Sequence, residues 1–198
     1  MSPPRRNPYA RRHRMTCTNV RTGYLAPAGG PAMKIAIGLG CSLGDRRSTL
    51  ENAVSMLNAH PQLRFVRGSR WYRSPPMRGG AATNAFLNGV ALFESDLSLP
   101  DLLEVTQGLE RRAGRRRAKH WGDRPLDIDL LLSDLPPSSA PTVPHPAIAL
   151  RPFVLWPLLE VWPDAQDPHS GRLYRDVPRP PGPGAWPVGI LSRSLRLT

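Results

Sequence analysis

The sequence predicts an α+β domain, a ferredoxin-like βαββαβ sandwich with an antiparallel sheet, helices on one face and a C-terminal extension. Two observations predict it. Between two Pro- and Arg-rich ends, the apolar pattern switches between periods of about 2 and about 3.6 residues. The strand-like and helix-like stretches then fall in the order β-α-β-β-α-β. That order serves many unrelated functions, so activity has to be argued from the site.

Residues 34–40 form a short apolar run ended by glycine, a strand feeding a turn. Residues 45–60 place Leu50, Ala53, Val54 and Leu57 at helical spacing. Stretches 63–72 and 85–93 alternate as single strands, and residues 74–83 between them hold two prolines and two glycines. A loop of that length suits a mobile lid over a ligand. Residues 99–112 read as a second helix with Leu102, Leu103, Val105, Thr106 and Leu109 inward, ended by Gly114. Residues 126–132 are an apolar strand interrupted by two aspartates.

The formal net charge of +12 belongs mostly to the ends. Residues 1–32 carry six arginines and no acid, and residues 171–198 carry five arginines and only Asp176. The stretch 33–170 has sixteen Lys/Arg against fourteen Asp/Glu, a balance of +2. A nearly neutral domain argues against a nucleic-acid partner. Residues 1–32 read as a disordered leader, 33–170 as the domain and 171–198 as a Pro/Arg-rich flexible tail. Met33 opens the first strand pattern and reads as the natural start. Cys17 and Cys41 make no disulfide framework, and no apolar run approaches the ~20 residues of a membrane helix. The chain reads as cytoplasmic, with no membrane partner.

Within the last strand, Asp127 and Asp129 share a face, about 6–7 Å apart at two strand rises. Carboxylates that close repel unless a cation lies between them, and Mg²⁺ bridging carboxylates and phosphates is the natural answer. Alone, the tripeptide reads more readily as an edge strand with a wetted acidic face. The preceding segment shifts that balance. Arg111, Arg112, Arg115, Arg116, Arg117, Lys119 and Arg124 place seven cations in fourteen residues, relieved only by Asp123. An anion clamp leading directly into a metal-binding strand is the layout of a phosphoryl-transfer site. A solvated basic loop is the plainer alternative.

At this point a family resemblance enters. Trp121-Gly122-Asp123-Arg124-Pro125-Leu126-Asp127-Ile128-Asp129-Leu130-Leu131 resembles the signature of the hydroxymethyldihydropterin pyrophosphokinases. Gly40-Cys41-Ser42-Leu43-Gly44-Asp45-Arg46 is similar to that family's first turn, and Tyr72-Arg73-Ser74-Pro75-Pro76 to the start of its first mobile loop. Phe86-Leu87-Asn88, Thr106-Gln107 with Glu110, Val143-Pro144-His145-Pro146 and the run from Arg151 to Leu158 complete an ordered set.

The resemblance implies transfer of a pyrophosphoryl group from ATP to the hydroxymethyl oxygen of 6-hydroxymethyl-7,8-dihydropterin, with AMP leaving, in folate synthesis. It implies two Mg²⁺ ions on Asp127 and Asp129, and Arg115 and Arg124 as catalytic, charge-stabilising groups. Gln107, Trp121, His145 and Arg151 resemble ATP contacts. Phe86 and Phe153 would stack on the pterin, Asn88 would read its amide edge, and Ser74, Pro75 and Met77 would assist. A monomer is expected.

Four positions depart from the family pattern. Cys41-Ser42 stands where Ser-Asn is usual, Phe86 replaces a frequent tyrosine, and the loop 114–121 is one residue shorter than in a bacterial relative. Asp123 occupies a place usually held by proline or a small residue. Its carboxylate is expected to face solvent and pair with Arg116, Arg117 or Lys119 rather than compete for Arg124. Two other classes fit the sequence less well. An RNA-binding ferredoxin-like module calls for an aromatic-rich central strand where this chain has two aspartates, and an inactive scaffold would not need both aspartates and both arginines.

Overall fold

The computed structural model describes residues 32–77, 79–115, 122–178, 180 and 184–190. Residues 1–31 of the leader, Arg116, Arg117, Lys119 and Trp121 lie outside these residues.

Strand β1 (Met33–Cys41) leads into α1 (Arg46–Asn58). Asp45 caps that helix, its carboxylate accepting from the Ser48 N–H at 3.2 Å. Then come β2 (Leu63–Gly68), β3 (Arg70–Ser74) and β4 (Phe86–Ser95). Helix α2 (Leu99–Arg112) is capped by Ser98, and β5 (Asp127–Ser133) follows. A two-stranded ribbon, β6 (Ser138–Ser139) and β7 (Thr142–Val143), precedes α3 (Pro152–Val161), and β8 (Trp186–Ile190) ends the described chain.

The main sheet runs β5-β1-β4-β3-β8, with β2 also paired to β4. The pairings of β1 with β4 and β5, and of β4 with β2 and β3, are antiparallel. The expected ferredoxin-like core is therefore present, with two differences. The stretch expected as one strand over 63–72 breaks at Ser69. There the Ser69 N–H donates to the Val90 carbonyl at 2.9 Å, and the Ser69 hydroxyl accepts from the Val90 N–H at 3.0 Å. A side chain takes one rung of the ladder, so the strand restarts as β3.

The second difference is the far face. As expected, α1 and α2 cover one face, packing Leu50, Val54, Leu57, Leu102 and Leu109 against Ile35, Ile37, Leu39, Ile128 and Leu130. Each such leucine, fully buried, contributes about 1.5–3 kcal/mol. The C-terminal extension then adds α3 to the opposite face, where Leu155, Leu158 and Val161 meet Val90, Leu92, Leu131 and Leu132. The sheet is covered by helices on both faces. Of residues 171–198, expected as a flexible tail, the described residues 171–178 and 184–190 include ordered parts. Tyr174 is buried and its N–H bonds the Ala165 carbonyl, while β8 pairs with the β3 edge.

Register decides what the α3 face presents. Gly40 of β1 lies opposite Asn88 of β4 and Asp127 of β5, and Gly38 lies opposite Val90 and Asp129. Directly opposed residues point to the same side of a sheet. Two rows thus cross three strands, each with a glycine at its centre.

Candidate active site

Those rows floor a cavity of about 260 Å³ beside α3. Gly38, Gly40, Asn88, Val90, Asp127, Asp129 and Leu131 all line it, as alternation along the strands requires. The glycines make the trough. A Cβ on Gly38 would sit 3.1 Å from Leu131, and one on Gly40 would sit 3.2 Å from the Asn88 side-chain oxygen. The walls are Ser74 at the end of β3, Pro75 and Met77 after it, Phe86 at the start of β4, and Arg151 and Phe153 at the start of α3.

Asn88 is buried, and its amide nitrogen donates to the Ser74 hydroxyl at 2.9 Å. Its oxygen is left above Gly40 as an acceptor for a ligand N–H. His145 lines the cavity as well. Its backbone N–H bonds the Leu131 carbonyl at 2.7 Å, and its Nδ1 accepts from the Ala147 N–H at 3.1 Å. With Nδ1 accepting, the neutral ring carries its proton on Nε2.

The charged end is the most organised part. One oxygen of Asp127 accepts from Arg115 and the other from Arg124, both at 2.6 Å. Arg115 also pairs with Glu110, a buried carboxylate on α2 that accepts the Ile128 N–H at 2.7 Å. Burial pushes the Glu110 carboxyl up, against the pull of that N–H and of Arg115. Asp129 differs from its neighbour. No hydrogen bond reaches its carboxylate among the described residues; burial first, and Asp127 second, raise its pKa, with His145, Arg151 and Arg124 opposing.

Two carboxylates facing one cavity, one of them desolvated and without a hydrogen-bond donor, form a donor set that suits a hard divalent cation. No group of three or more His, Cys, Asp and Glu gathers among the described residues. The remaining coordination would fall to phosphate oxygens and water, as is usual for Mg²⁺.

The cavity thus brings together eleven of the residues expected from sequence: Ser74, Pro75, Met77, Phe86, Asn88, Arg124, Asp127, Asp129, His145, Arg151 and Phe153. Arg115 joins through Asp127. Gln107 does not line the cavity; it is exposed on α2. Trp121 is outside the described residues. Asp123 is half-buried, and its expected partners Arg116, Arg117 and Lys119 lie outside the described residues. Its carboxylate accepts from the backbone N–H groups of Thr83 and Asn84, both at 3.2 Å, from the Thr83 hydroxyl at 3.0 Å and from the Asn84 amide at 2.9 Å. Sequence reasoning had no means of finding a partner forty residues away. It also gave Glu110 no role, though a lone acid three residues after Gln107 on the inward side of a helix was a signal.

No helix among the described residues is long and apolar enough to cross a membrane. A sequence model of the 7,8-dihydro-6-hydroxymethylpterin-pyrophosphokinase (HPPK) family matches residues 36–163. The chain is 36% identical over 155 residues to a 2-amino-4-hydroxy-6-hydroxymethyldihydropteridine pyrophosphokinase of Synechocystis, covering 77% of this chain and 78% of that protein. It is 36% identical to a protein of the same name from Pseudomonas aeruginosa, over 71% of this chain and 87% of the relative. Among solved structures it is similar to a Plasmodium falciparum HPPK-DHPS triple mutant with SDX-DHP, at a TM-score of 0.54 and 11% identity. That match covers 77% of this chain and 44% of the longer one, and it speaks for the fold alone. The matched sequence, the fold and the paired aspartates beneath two arginines agree, and the chain belongs to the 7,8-dihydro-6-hydroxymethylpterin-pyrophosphokinase family, as a pyrophosphokinase of folate biosynthesis.

Proposed function

We propose that this cavity binds 6-hydroxymethyl-7,8-dihydropterin beside ATP and transfers the pyrophosphoryl group between them. One observation carries the reading: Asp127 faces the cavity beside Asp129 while Arg115 and Arg124 both hold its carboxylate. Metal ligands and phosphate-binding forks converge on one point.

In this reading the pterin lies in the glycine trough between Phe86 and Phe153. Offset stacking contributes about 0.5–1.5 kcal/mol per aromatic pair beyond the buried area. The Asn88 oxygen accepts from the pterin amide edge, and a ring lacking that donor leaves it unpaired. His145 and Arg151 take the nucleotide. Asp127 and Asp129 would hold two Mg²⁺ ions, which would supply charge neutralisation on the ATP phosphates.

The hydroxymethyl oxygen attacks the β-phosphorus, the bond from that phosphorus to the α–β bridging oxygen breaks, and AMP leaves with the electron pair. The hydroxyl proton passes to solvent. Arg115 and Arg124, which donate to Asp127 at the charged end of the cavity, would carry their guanidinium forks against the phosphate oxygens where charge develops. Catalysis then rests on position and fixed charge rather than on a covalent intermediate.

The test is direct. Protein, Mg²⁺, ATP and the pterin are incubated together and the nucleotide product is identified. AMP is expected in step with the pterin diphosphate; ADP, or no turnover, overturns the reading.

A further inference from the structure

We infer that Asp123 is a positioning residue that clasps the arginine-bearing segment to the loop walling the pterin side of the cavity. The inference rests on the reading of this cavity as a pyrophosphokinase site.

Three segments meet at the cavity mouth: the turn after β1, the loop between β3 and β4, and residues 122–126 leading into β5. The first and third are stitched by backbone. The Ser42 N–H donates to the Arg124 carbonyl, and the Arg124 N–H donates to the Ser42 hydroxyl, both at 2.9 Å. The first and second are joined by Arg46, whose guanidinium donates to the Ala85 carbonyl at 2.8 Å. Asp123 closes the remaining side, with four hydrogen bonds from Thr83 and Asn84 spread over both its oxygens. Phe86 follows Asn84 by two residues, and Arg124 follows Asp123 by one. The clasp therefore spans the short path between a ring that stacks on the acceptor and an arginine that faces the donor.

Hydrogen bonds to a charged group are individually stronger than neutral ones, and a carboxylate accepting several N–H groups is well satisfied as an anion. Despite the opposing effect of desolvation, the bonds from Thr83, Ser42 and Asn84 hold the Asp123 carboxyl down to about 2. The carboxylate thus keeps the charged form that accepts these bonds well above that value. A proline at this position has no side-chain acceptor and could not make it.

The coupling is tested with four variants: Asp123→Ala, Thr83→Val with Asn84→Ala, all three together, and the exchange Asp123→Asn with Asn84→Asp. The readouts are single-turnover AMP formation and hydrogen exchange at the Thr83 and Asn84 amides. The first two variants are expected to slow AMP formation by about 3–10-fold each, and the triple variant no further, because they remove one shared interaction. The exchange variant, which returns a donor–acceptor pair across the same gap, is expected to recover most of the rate. Asp123→Ala should speed exchange at both amides. Wild-type protein that makes AMP at a rate matched by every variant overturns the clasp, as do additive losses or unchanged amide exchange. Wild-type protein that makes no AMP overturns instead the reading on which the clasp rests.

Discussion

Two carboxylate–arginine clusters lie on the α3 side of this sheet, and they differ in what is left over. At the far edge, Glu160 of α3 accepts from the Arg70 backbone N–H and from its guanidinium Nε, each at 2.8 Å, and from the Tyr72 hydroxyl at 2.5 Å. Its hydrogen bonds all come from within the fold, and it ties α3 to β3. At the cavity, Asp127 is bound by two arginines, yet Asp129 beside it has no hydrogen-bond donor among the described residues. One cluster is closed and structural. The other has charge still to satisfy, and the cavity opens on that side. Chemical similarity between clusters therefore says less about function than whether their charge is already met.

The sharpest way to break the comparison is to remove a carboxylate from each cluster. Asp127→Ala or Asp129→Ala is expected to cut turnover by about 1,000-fold or more, the loss of several kcal/mol of transition-state stabilisation. Circular dichroism and pterin binding should stay near wild type. Near-normal turnover in either variant would disprove the metal role.

The arginines come next. Arg115→Ala and Arg124→Ala are each expected to slow the chemical step by about 100–1,000-fold, as for other groups that act on developing charge. ATP affinity, measured separately, should move much less. A rise in KM with kcat unchanged would recast either arginine as a ground-state binding group.

The smallest effect belongs to the closed cluster, and it appears in stability alone. Glu160→Gln is expected to cost about 1–2 kcal/mol of folding stability with AMP formation unchanged, since its partners are partly exposed and water replaces some of what is lost. The pH dependence has a definite sign. Burial raises the Glu160 carboxyl, but hydrogen bonds from Arg70 and Tyr72 outweigh it and leave its pKa below the ordinary 4.5. Its contribution is complete above pH 4.5 and is lost as pH falls through the lowered value. Burial, then the bond to Glu160, pushes the Tyr72 phenol from 10.0 up to about 12. That contribution is complete below pH 10 and is lost as pH rises toward 12. Chemical denaturation of Glu160→Gln across pH should flatten both windows; unchanged curves would show that the cluster does not support the fold.

The sequence exposed the open cluster and hid the closed one for a physical reason. Asp127 and Asp129 interrupt an apolar strand at a spacing of two, so period alone reveals them. Glu160 sits in an ordinary position of a helix whose own existence was obscured. Residues 152–161 are apolar nearly all round and carry Pro152 and Pro157, so they show neither amphipathic period nor clean helical composition. Likewise β8 contains Pro187 and follows a Pro- and Gly-rich run, features that read as tail but are tolerated in an outer strand. The partners of Asp123 belong to a loop that pattern reading leaves shapeless. Local periodicity carries the sheet and the DxD face; it carries nothing about which distant loops touch.

Gly38 and Gly40 bear on how this protein could respond to a drug. The floor of the cavity is main chain from the strand between β4 and β5, and Leu131 and Asn88 already occupy the space a side chain there would need. A flat inhibitor resting on that floor touches atoms that no codon change can swap without disturbing the strands themselves. Resistance would have to arise in the walls, among Pro75, Met77, Phe86 and Phe153, where the proposed pterin ligand would make its own contacts. An inhibitor that leans on the floor and keeps within the natural ligand's outline leaves the target few escapes that do not also impair its own substrate.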